Sequence, residues 1–230
     1  MLTRTTLLLL CLLAALGVAA APAPAAIVEI GQSAKPPQPS CPTMPCFAVS
    51  RTTGYQAKAG AQRALYTVPQ DGRIVAWSIT LSDPGAKQVA FFREQFGGAA
   101  SAGISVLRPG RKLYARTVAT SPIERLEPYF GETVQFPLTR SIPVTKGNLV
   151  ALTVPTWAPS LAVGFGNDHS WRAASRSGGD CSDLATQAPQ TTPGRVARYR
   201  CLFRTAQLTY TATLITAPKG AAATSSRLRR

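Results

Sequence analysis

The sequence predicts an all-β protein, an antiparallel β-sandwich of jelly-roll type with one short helix in a connection. Two observations favour this fold class. About ten short segments have the alternating or apolar character of strands, and 19 prolines and 18 glycines are scattered between them as turn residues. The chain also lacks the regular strand–helix alternation that is typical of a parallel sheet.

The N-terminal residues 1–26 have the pattern of a secretory signal peptide. Arg4 provides a positive charge, an apolar run covers Leu7–Val18, and alanines follow at the expected cleavage region. The run is shorter than the ~18 apolar residues of a membrane helix. We therefore expect a secreted or cell-envelope protein with no membrane span, and removal of the signal leaves about 200 residues, enough for one all-β domain.

The chain after the signal divides into three parts. Residues 27–40 (IVEIGQSAKPPQPS) are proline-rich and show no sustained period, which predicts a linker. Residues 41–217 contain the strand-like segments and are predicted to form a single β-sandwich domain. Residues 218–230 are small, polar and basic, which predicts a disordered tail.

The first clear strand covers residues 73–82 (RIVAWSITLS). Val75, Trp77, Ile79 and Leu81 alternate with small or polar residues, so one face is predicted to be buried and Trp77 belongs to the core. A short helix is predicted next, over residues 85–98. Its apolar residues Val89, Phe92 and Phe96 have i, i+3, i+7 spacing, Asp83–Pro84 suits its start, and Gly97–Gly98 ends it.

The later strands follow the same logic. Residues 104–119 predict a hairpin around the turn at 108–111, and residues 133–139 predict an edge strand or a bulge because Pro137 cannot donate to a ladder. Residues 141–155 predict a strand, a turn at Lys146–Gly147–Asn148 and a second strand, which is apolar on both faces and therefore central in its sheet. Two last strands are predicted over residues 197–205 and 206–216.

Four cysteines lie beyond the signal, and we predict two disulfides, Cys41–Cys46 and Cys181–Cys201. An even number of cysteines in an exported chain favours disulfides over thiols. A zinc site would need more ligands than one histidine, His169, and C-P-T-M-P-C has the wrong length for a C-x-x-C redox pair. The other two connectivities close longer loops and stay open as alternatives.

The charge balance favours an anionic partner. Against 25 Lys and Arg stand 10 Asp and Glu, a formal net charge of +15, and no acidic residue follows residue 183. Wall polymers, acidic glycans and phospholipid surfaces would all be attracted to such a protein. A solvated basic surface with no dedicated partner is the alternative interpretation.

Ligand contacts are predicted from two features. In RVARYRCLFRT, one predicted strand face carries Arg198, Arg200 and Arg204, and Arg195 precedes them in the sequence. The other face carries Tyr199, Cys201 and Phe203. Trp157, between two prolines, is the best predicted exposed aromatic, and Trp171 is a second candidate. Because the aromatics point away from the arginines and the chain is exported, nucleic acid is not the expected partner.

No catalytic motif is present, so we expect a protein that is not an enzyme and has no cofactor. His169 has Asp168 and Ser170 as neighbours, but adjacent strand residues point to opposite faces and do not make a triad. Glu124, Glu127 and Glu132 cluster, and a glycosidase would need two such acids facing each other. We interpret them as ordinary solvated charges of a loop.

Metal binding is not predicted either. Asp168, Asp180 and Asp183 are conceivable calcium ligands without a regular spacing, and a polar loop held by a disulfide is the favoured interpretation. The leading hypothesis is a secreted, non-catalytic module that binds a polysaccharide or an anionic cell-envelope polymer. The alternatives are a secreted hydrolase that uses loop carboxylates and a structural envelope or matrix protein. The sequence does not indicate an oligomeric state.

Overall fold

A computed structural model describes residues 24–33, 35–174, 181–182 and 189–218. One compact unit extends from Ala26 to Ala217. Most of the predicted signal peptide and of the predicted basic tail lie outside the described residues, as do Asp180 and Asp183 of the predicted polar loop.

The described chain is mostly β-structure with one α-helix. The α-helix α1 covers Ala86–Phe96, and two short 3-10 helices cover Arg111–Leu113 and Glu127–Tyr129. The strands are β1 (Ile27–Ile30), β2 (Val49–Lys58), β3 (Gly72–Thr80), β4 (Ser101–Pro109), β5 (Tyr114–Thr120), β6 (Glu124–Arg125), β7 (Thr133–Val144), β8 (Leu149–Ala158), β9 (Leu161–Val163), β10 (Ser170–Ala173), β11 (Val196–Arg198), β12 (Cys201–Arg204), β13 (Ala206–Leu208) and β14 (Tyr210–Thr216).

The strands form two main sheets, and neighbouring strands within each sheet are antiparallel. The first sheet has the order β1-β14-β3-β7, and the second has the order β11-β5-β4-β8-β2-β10-β12, with β6 added beside β4. The central orders β1-β14-β3-β7 and β2-β8-β4-β5 are those of a jelly roll, in which the chain alternates between two four-stranded sheets. The predicted fold class is confirmed, and the one α-helix of the described residues lies in the connection between β3 and β4.

The main core lies between the sheets and follows the alternation of the strands. In β3, Trp77 and Ile79 are fully buried, as predicted. A register shift between Ile74 and Ala76 replaces Val75 with Ile74 in the core, so the prediction for Val75 is wrong. Alternation by itself cannot show such a β-bulge, which turns a side chain to the other face.

Helix α1 is confirmed, but its start differs from the predicted one. The helix begins after Gly85, whose backbone N–H donates to Gln88 Oε1 at 2.8 Å, so Asp83 is not the cap. It ends at Gly97, where φ is 84°, a conformation that glycine adopts without strain. Phe92 is the buried residue of α1 and packs 5.0 Å from the Trp157 ring.

The linker prediction is wrong at its N-terminal end. Residues 27–30 form β1 and pair with β14, from Ile27 opposite Ile215 to Ile30 opposite Ala212. Only Ile30 of this strand is fully buried, at 2% exposure. Four residues are too few for the sequence to show a period, and their strand conformation depends on a partner almost 190 residues away.

The second sheet carries a buried row of hydroxyls on its outer face. Leu152 and Val154 of β8 face the main core, so Thr153 points the other way, and it is 1% exposed. Its Oγ1 lies 3.0 Å from Thr53 Oγ1 of β2 and 2.6 Å from Ser105 Oγ of β4. The backbone N–H of Gln190 donates to Thr53 Oγ1 at 2.8 Å, so the segment after residue 188 covers this row.

Both predicted disulfides are confirmed. Cys41 is bonded to Cys46, and Cys181 is bonded to Cys201 at the start of β12. Of the helices within the described residues, none has the length and apolar character that crossing a membrane requires.

Candidate functional site

Trp157 does not lie on the surface, which corrects the prediction of an exposed aromatic. Its side chain is 0% exposed, packs against Phe92 and Phe130, and donates from Nε1 to the carbonyl oxygen of Gly98 at 2.9 Å. The flanking prolines suggested a loop, but Trp157 lies inside β8, where it is opposite Ser50 of β2. It is therefore a core residue and cannot contact a ligand in this conformation.

Trp171 is also buried, at 5% exposure. It lies in β10 opposite Phe203 of β12, and the two rings are stacked with centroids 4.4 Å apart. The pair belongs to the main core, so Trp171 is not available as a binding surface either. Both tryptophan predictions fail for the same reason, because a large apolar ring gains more from burial than from exposure.

The predicted arginine stripe is not a single strand. Residues 195–205 are divided into β11 and β12, which lie at opposite ends of the second sheet. Only Tyr199 and Arg200 separate them, so these ends lie within about 11 Å of each other and the sheet is strongly curved. Arg198 pairs with β5, whereas Arg204 lies opposite Ser170 of β10.

The pairing of β11 with β5 creates a different cluster of basic residues. Arg116 of β5 lies opposite Arg108 of β4 on one side and opposite Val196 on the other, and Tyr114 lies opposite Arg198. Directly opposed residues share a face, and so do residues two apart on one strand. One face of this three-stranded ribbon thus carries Arg108, Tyr114, Arg116, Val196 and Arg198, which together we call the arginine face.

Local sequence explains why this face is in solvent. On the opposite face of the ribbon, Ala115 is 5% exposed and Thr117 is 1% exposed, and Ala115 packs in a second buried cluster with Leu107 and Tyr199. The alternating residues of β5 therefore turn outward, and Tyr114 is 46% exposed and Val196 50% exposed. The three arginines of the arginine face are exposed as well.

The arginines are held by backbone carbonyls and an aromatic ring. Arg116 Nη1 donates to the carbonyl oxygen of Gly194 at 3.0 Å, and Arg198 Nε donates to that of Lys112 at 3.3 Å. The guanidinium carbon of Arg198 lies 5.7 Å from the centroid of the Tyr114 ring, within the range of a cation–π contact. These contacts fix Arg116 and Arg198 in position and leave both without an ion pair to a described carboxylate.

The electrostatic environment of the arginine face is positive. Arg111 and Lys112 are exposed in the turn between β4 and β5, and Arg195 is exposed beside Val196. Within the described ranges, the ion pairs join Arg93 and Arg125 to Glu127 and His169 to Asp168, and none involves the arginine face. An anion approaching this face therefore meets arginines that are not paired with any described carboxylate.

No protein family model, curated protein or solved structure matches this chain.

Arg200 and Arg204 are exposed but do not belong to the arginine face. The carbonyl oxygen of Arg200 accepts from Arg172 Nη1 at 3.5 Å between β11 and β12, and Arg204 ends the β10–β12 pairing. Of the four predicted arginines, Arg198 lies on the arginine face and Arg195 adjoins it. The sequence analysis missed Arg108, Tyr114 and Arg116, although the alternation Y-A-R-T after a turn indicated that Tyr114 and Arg116 share a face.

Glu127 is the best-connected carboxylate, and its contacts are structural. It is 11% exposed and accepts from Arg93 of α1 through both oxygens, at 2.9 and 2.8 Å, and from Arg125 of β6 at 2.9 Å. Burial raises the pKa of Glu127, but the hydrogen bonds from Arg125 and Arg93 outweigh it and hold the pKa below its usual value. Glu127 connects α1 to the edge of the second sheet.

His169 and Asp168 form a surface pair. Asp168 Oδ1 lies 3.0 Å from His169 Nδ1, and the imidazole is stacked on Phe165 with ring centroids 4.3 Å apart. No hydrogen bond links the imidazole to a serine, threonine or cysteine within the described residues. Nor do three or more His, Cys, Asp or Glu side chains come together there as a metal-binding group.

Proposed function

We propose that this protein is a secreted, non-catalytic jelly-roll module that binds an anionic polysaccharide or another anionic polymer of the cell envelope. The arginine face carries the proposal. It presents three exposed arginines and an exposed tyrosine on one surface, without an ion pair to a carboxylate within the described residues.

The spacing of the arginines suits a polymer better than a small anion. Arg108, Arg116 and Arg198 come from three neighbouring strands, which lie ~4.8 Å apart in a sheet. A small anion can contact one or two such guanidinium groups, whereas repeated charges along a chain can contact all three. Arg111, Lys112 and Arg195 extend the positive field around them.

Export is supported by the sequence and by the disulfides. The pattern of residues 1–26 is that of a signal peptide, and two disulfides are compatible with an oxidising compartment. Anionic polymers of the envelope, such as acidic glycans and wall polymers, are abundant in that compartment. Nucleic acid is a less suitable partner there.

The proposal is tested by retention on polymers. The purified chain without its signal is incubated with insoluble wall polysaccharide, an acidic glycan and a neutral glucan, at low salt and at high salt. We expect retention on the acidic polymers at low salt, loss of that retention at high salt, and no retention on the glucan. Absence of binding to every acidic polymer would contradict the proposal.

A charge-matched pair of variants separates a site from overall charge. The double substitution Arg108→Gln and Arg116→Gln removes two charges from the arginine face. The control, Arg63→Gln with Arg204→Gln, removes two exposed arginines elsewhere. We expect only the first variant to lose retention. Equal losses would show that net charge, and not the arginine face, causes binding.

A further inference from the structure

A groove lies beside the arginine face, between β5 of the second sheet and β7 of the first. Its volume is about 320 Å³, within the range of small-ligand sites. The pairing of residues 194–198 with β5 ends at Thr117, so β5 from Val118 onward forms one wall of the groove. The lining comes from the end of β5 with Pro122 after it, from residues 139–143 of β7 and from Pro193.

Two contacts make the groove continuous with the arginine face. Val118, in one wall, follows Arg116 by two residues on β5, at a register shift that turns the strand. Pro193, which also lines the groove, precedes Gly194, whose carbonyl oxygen accepts from Arg116 Nη1. A polymer that is bound on the arginine face and extends along β5 therefore enters the groove.

The groove combines apolar surfaces with hydroxyls and one positive charge. Pro122, Pro143 and Pro193 provide flat apolar faces, and Thr120, Thr139 and Ser141 provide hydroxyls. Arg140 is the charged residue of the lining. Ser141 is fixed by Arg73, which donates to its Oγ at 2.7 Å and to its carbonyl oxygen at 2.9 Å.

We propose that this groove is a sugar subsite, which holds one ring of an acidic polysaccharide while neighbouring units of the same chain lie on the arginine face. The inference rests on the proposed function and names its ligand class. A sugar ring has an apolar face and several hydroxyls, which match the prolines and the threonines of the groove. A polyphosphate has neither feature, and a nucleic acid would need exposed aromatic rings for its bases.

The geometry also sets a minimum length for the ligand. Arg116 and Thr120 are four residues apart on β5, about 13 Å at the rise of a strand. A single ring fills the groove alone, whereas an oligosaccharide also reaches the arginines of the arginine face. A monosaccharide therefore binds much more weakly than an oligosaccharide of the same unit.

The test compares two polyanions with equal charge per chain, oligogalacturonate and inorganic polyphosphate, by titration calorimetry on the chain without its signal. Galacturonic acid is the monosaccharide probe. The variant Thr139→Trp fills the groove without changing the charge, and Gln135→Trp is its control, because both residues are exposed on β7. Arg116→Gln alters the arginine face. Urea unfolding shows that each variant is folded.

We expect tighter binding of oligogalacturonate than of polyphosphate, and no measurable binding of galacturonic acid. Thr139→Trp should weaken oligogalacturonate binding by about ten-fold or more and change polyphosphate binding by less than about two-fold. Gln135→Trp should change neither, and Arg116→Gln should weaken both.

Two results would overturn the subsite alone. One is unchanged oligogalacturonate binding by Thr139→Trp, and the other is polyphosphate binding as tight as that of oligogalacturonate in the unaltered protein. In both cases, weaker polymer binding by Arg116→Gln would still support the arginine face as a binding site. Failure of both polymers to bind the unaltered protein would overturn the proposed function and the subsite together.

Discussion

Arg198 lies over the ring of Tyr114, with its guanidinium carbon 5.7 Å from the ring centroid. The two residues are far apart in sequence and become direct neighbours through the pairing of β5 with β11. Together with the hydrogen bond from Arg198 Nε to the Lys112 carbonyl oxygen, the Tyr114 ring restricts the motion of the Arg198 guanidinium group. A fixed guanidinium loses less side-chain entropy when an anion binds it.

The substitution Tyr114→Leu should weaken polyanion binding. An exposed cation–π contact contributes about 0.5–1 kcal/mol, so we expect a decrease in affinity of about two- to five-fold. Tyr114→Phe keeps the ring and should bind like the unaltered protein. Titration calorimetry with oligogalacturonate measures both. A loss of equal size in Tyr114→Phe would mean that the hydroxyl group, and not the ring, is responsible.

The salt dependence of binding should report the number of charges in contact. Neutralising one arginine that touches the polymer lowers the slope of log affinity against log salt concentration by roughly one. We expect this change for Arg116→Gln and no change for Arg204→Gln, which removes an exposed arginine at the β10–β12 edge. Affinities measured at a series of salt concentrations give the slopes. Equal slopes for the two variants would contradict the assignment of Arg116 to the site.

Local patterns were sufficient to predict the elements of the main core. β3, α1, the edge position of β7 with Pro137 and the central position of β8 all depend on a period or a turn residue within a few positions. The disulfides were also predictable, because four cysteines in two neighbouring pairs leave few arrangements. The jelly-roll order follows once these segments pack into two sheets.

The site was only partly predictable, because its residues are brought together by the pairing register of strands that are distant in sequence. In RVARYRCLFRT the alternation is regular, yet the chain leaves one end of the second sheet after Arg198 and joins the other end at Cys201. Nothing within the segment indicates this change of partner. Arg108 and Arg116 face each other only because Leu107 pairs with Thr117 and the hairpin continues in that register.

Truncation of Trp157 should affect stability. The side chain is 0% exposed and contacts Phe92 and Phe130, so Trp157→Ala should lower the free energy of unfolding by about 3–5 kcal/mol. Trp157→Phe should cost less, because it mainly removes the hydrogen bond to the Gly98 carbonyl oxygen. Urea unfolding followed by circular dichroism measures both changes. If the folded Trp157→Phe protein bound polymer more weakly, a role in binding would be indicated after all.

The buried hydroxyl row should depend strongly on its middle member. Thr153→Val keeps the shape of the side chain but removes the oxygen that lies within 3.0 Å of both Thr53 Oγ1 and Ser105 Oγ. Loss of partners for buried polar groups costs about 1–3 kcal/mol of unfolding free energy. Thr133→Val is the control, since its hydroxyl bonds to Thr80 on an exposed surface. Similar losses in the two variants would argue against a special role of the buried row.

The contacts of Glu127 predict a loss of stability in acid. Because the hydrogen bonds from Arg125 and Arg93 hold its pKa below the usual value, the folded protein binds a proton at Glu127 less readily than the unfolded chain does. The stabilisation is therefore present above the ordinary glutamate pKa of about 4.3 and is lost as the pH falls through the lower pKa of the folded state.

Glu127→Gln is the variant that tests this pH dependence. The unaltered protein should be more stable than Glu127→Gln at pH 7, and the difference should become smaller as the pH falls below about 4. Urea midpoints measured at a series of pH values from 7 to below 4 give the stability difference between the two proteins. Glu94→Gln is a suitable control, because Glu94 is exposed on the same helix and forms no ion pair within the described residues. A stability difference that stayed constant with pH would show that the shape of the Glu127 side chain, and not its charge, holds α1 in place.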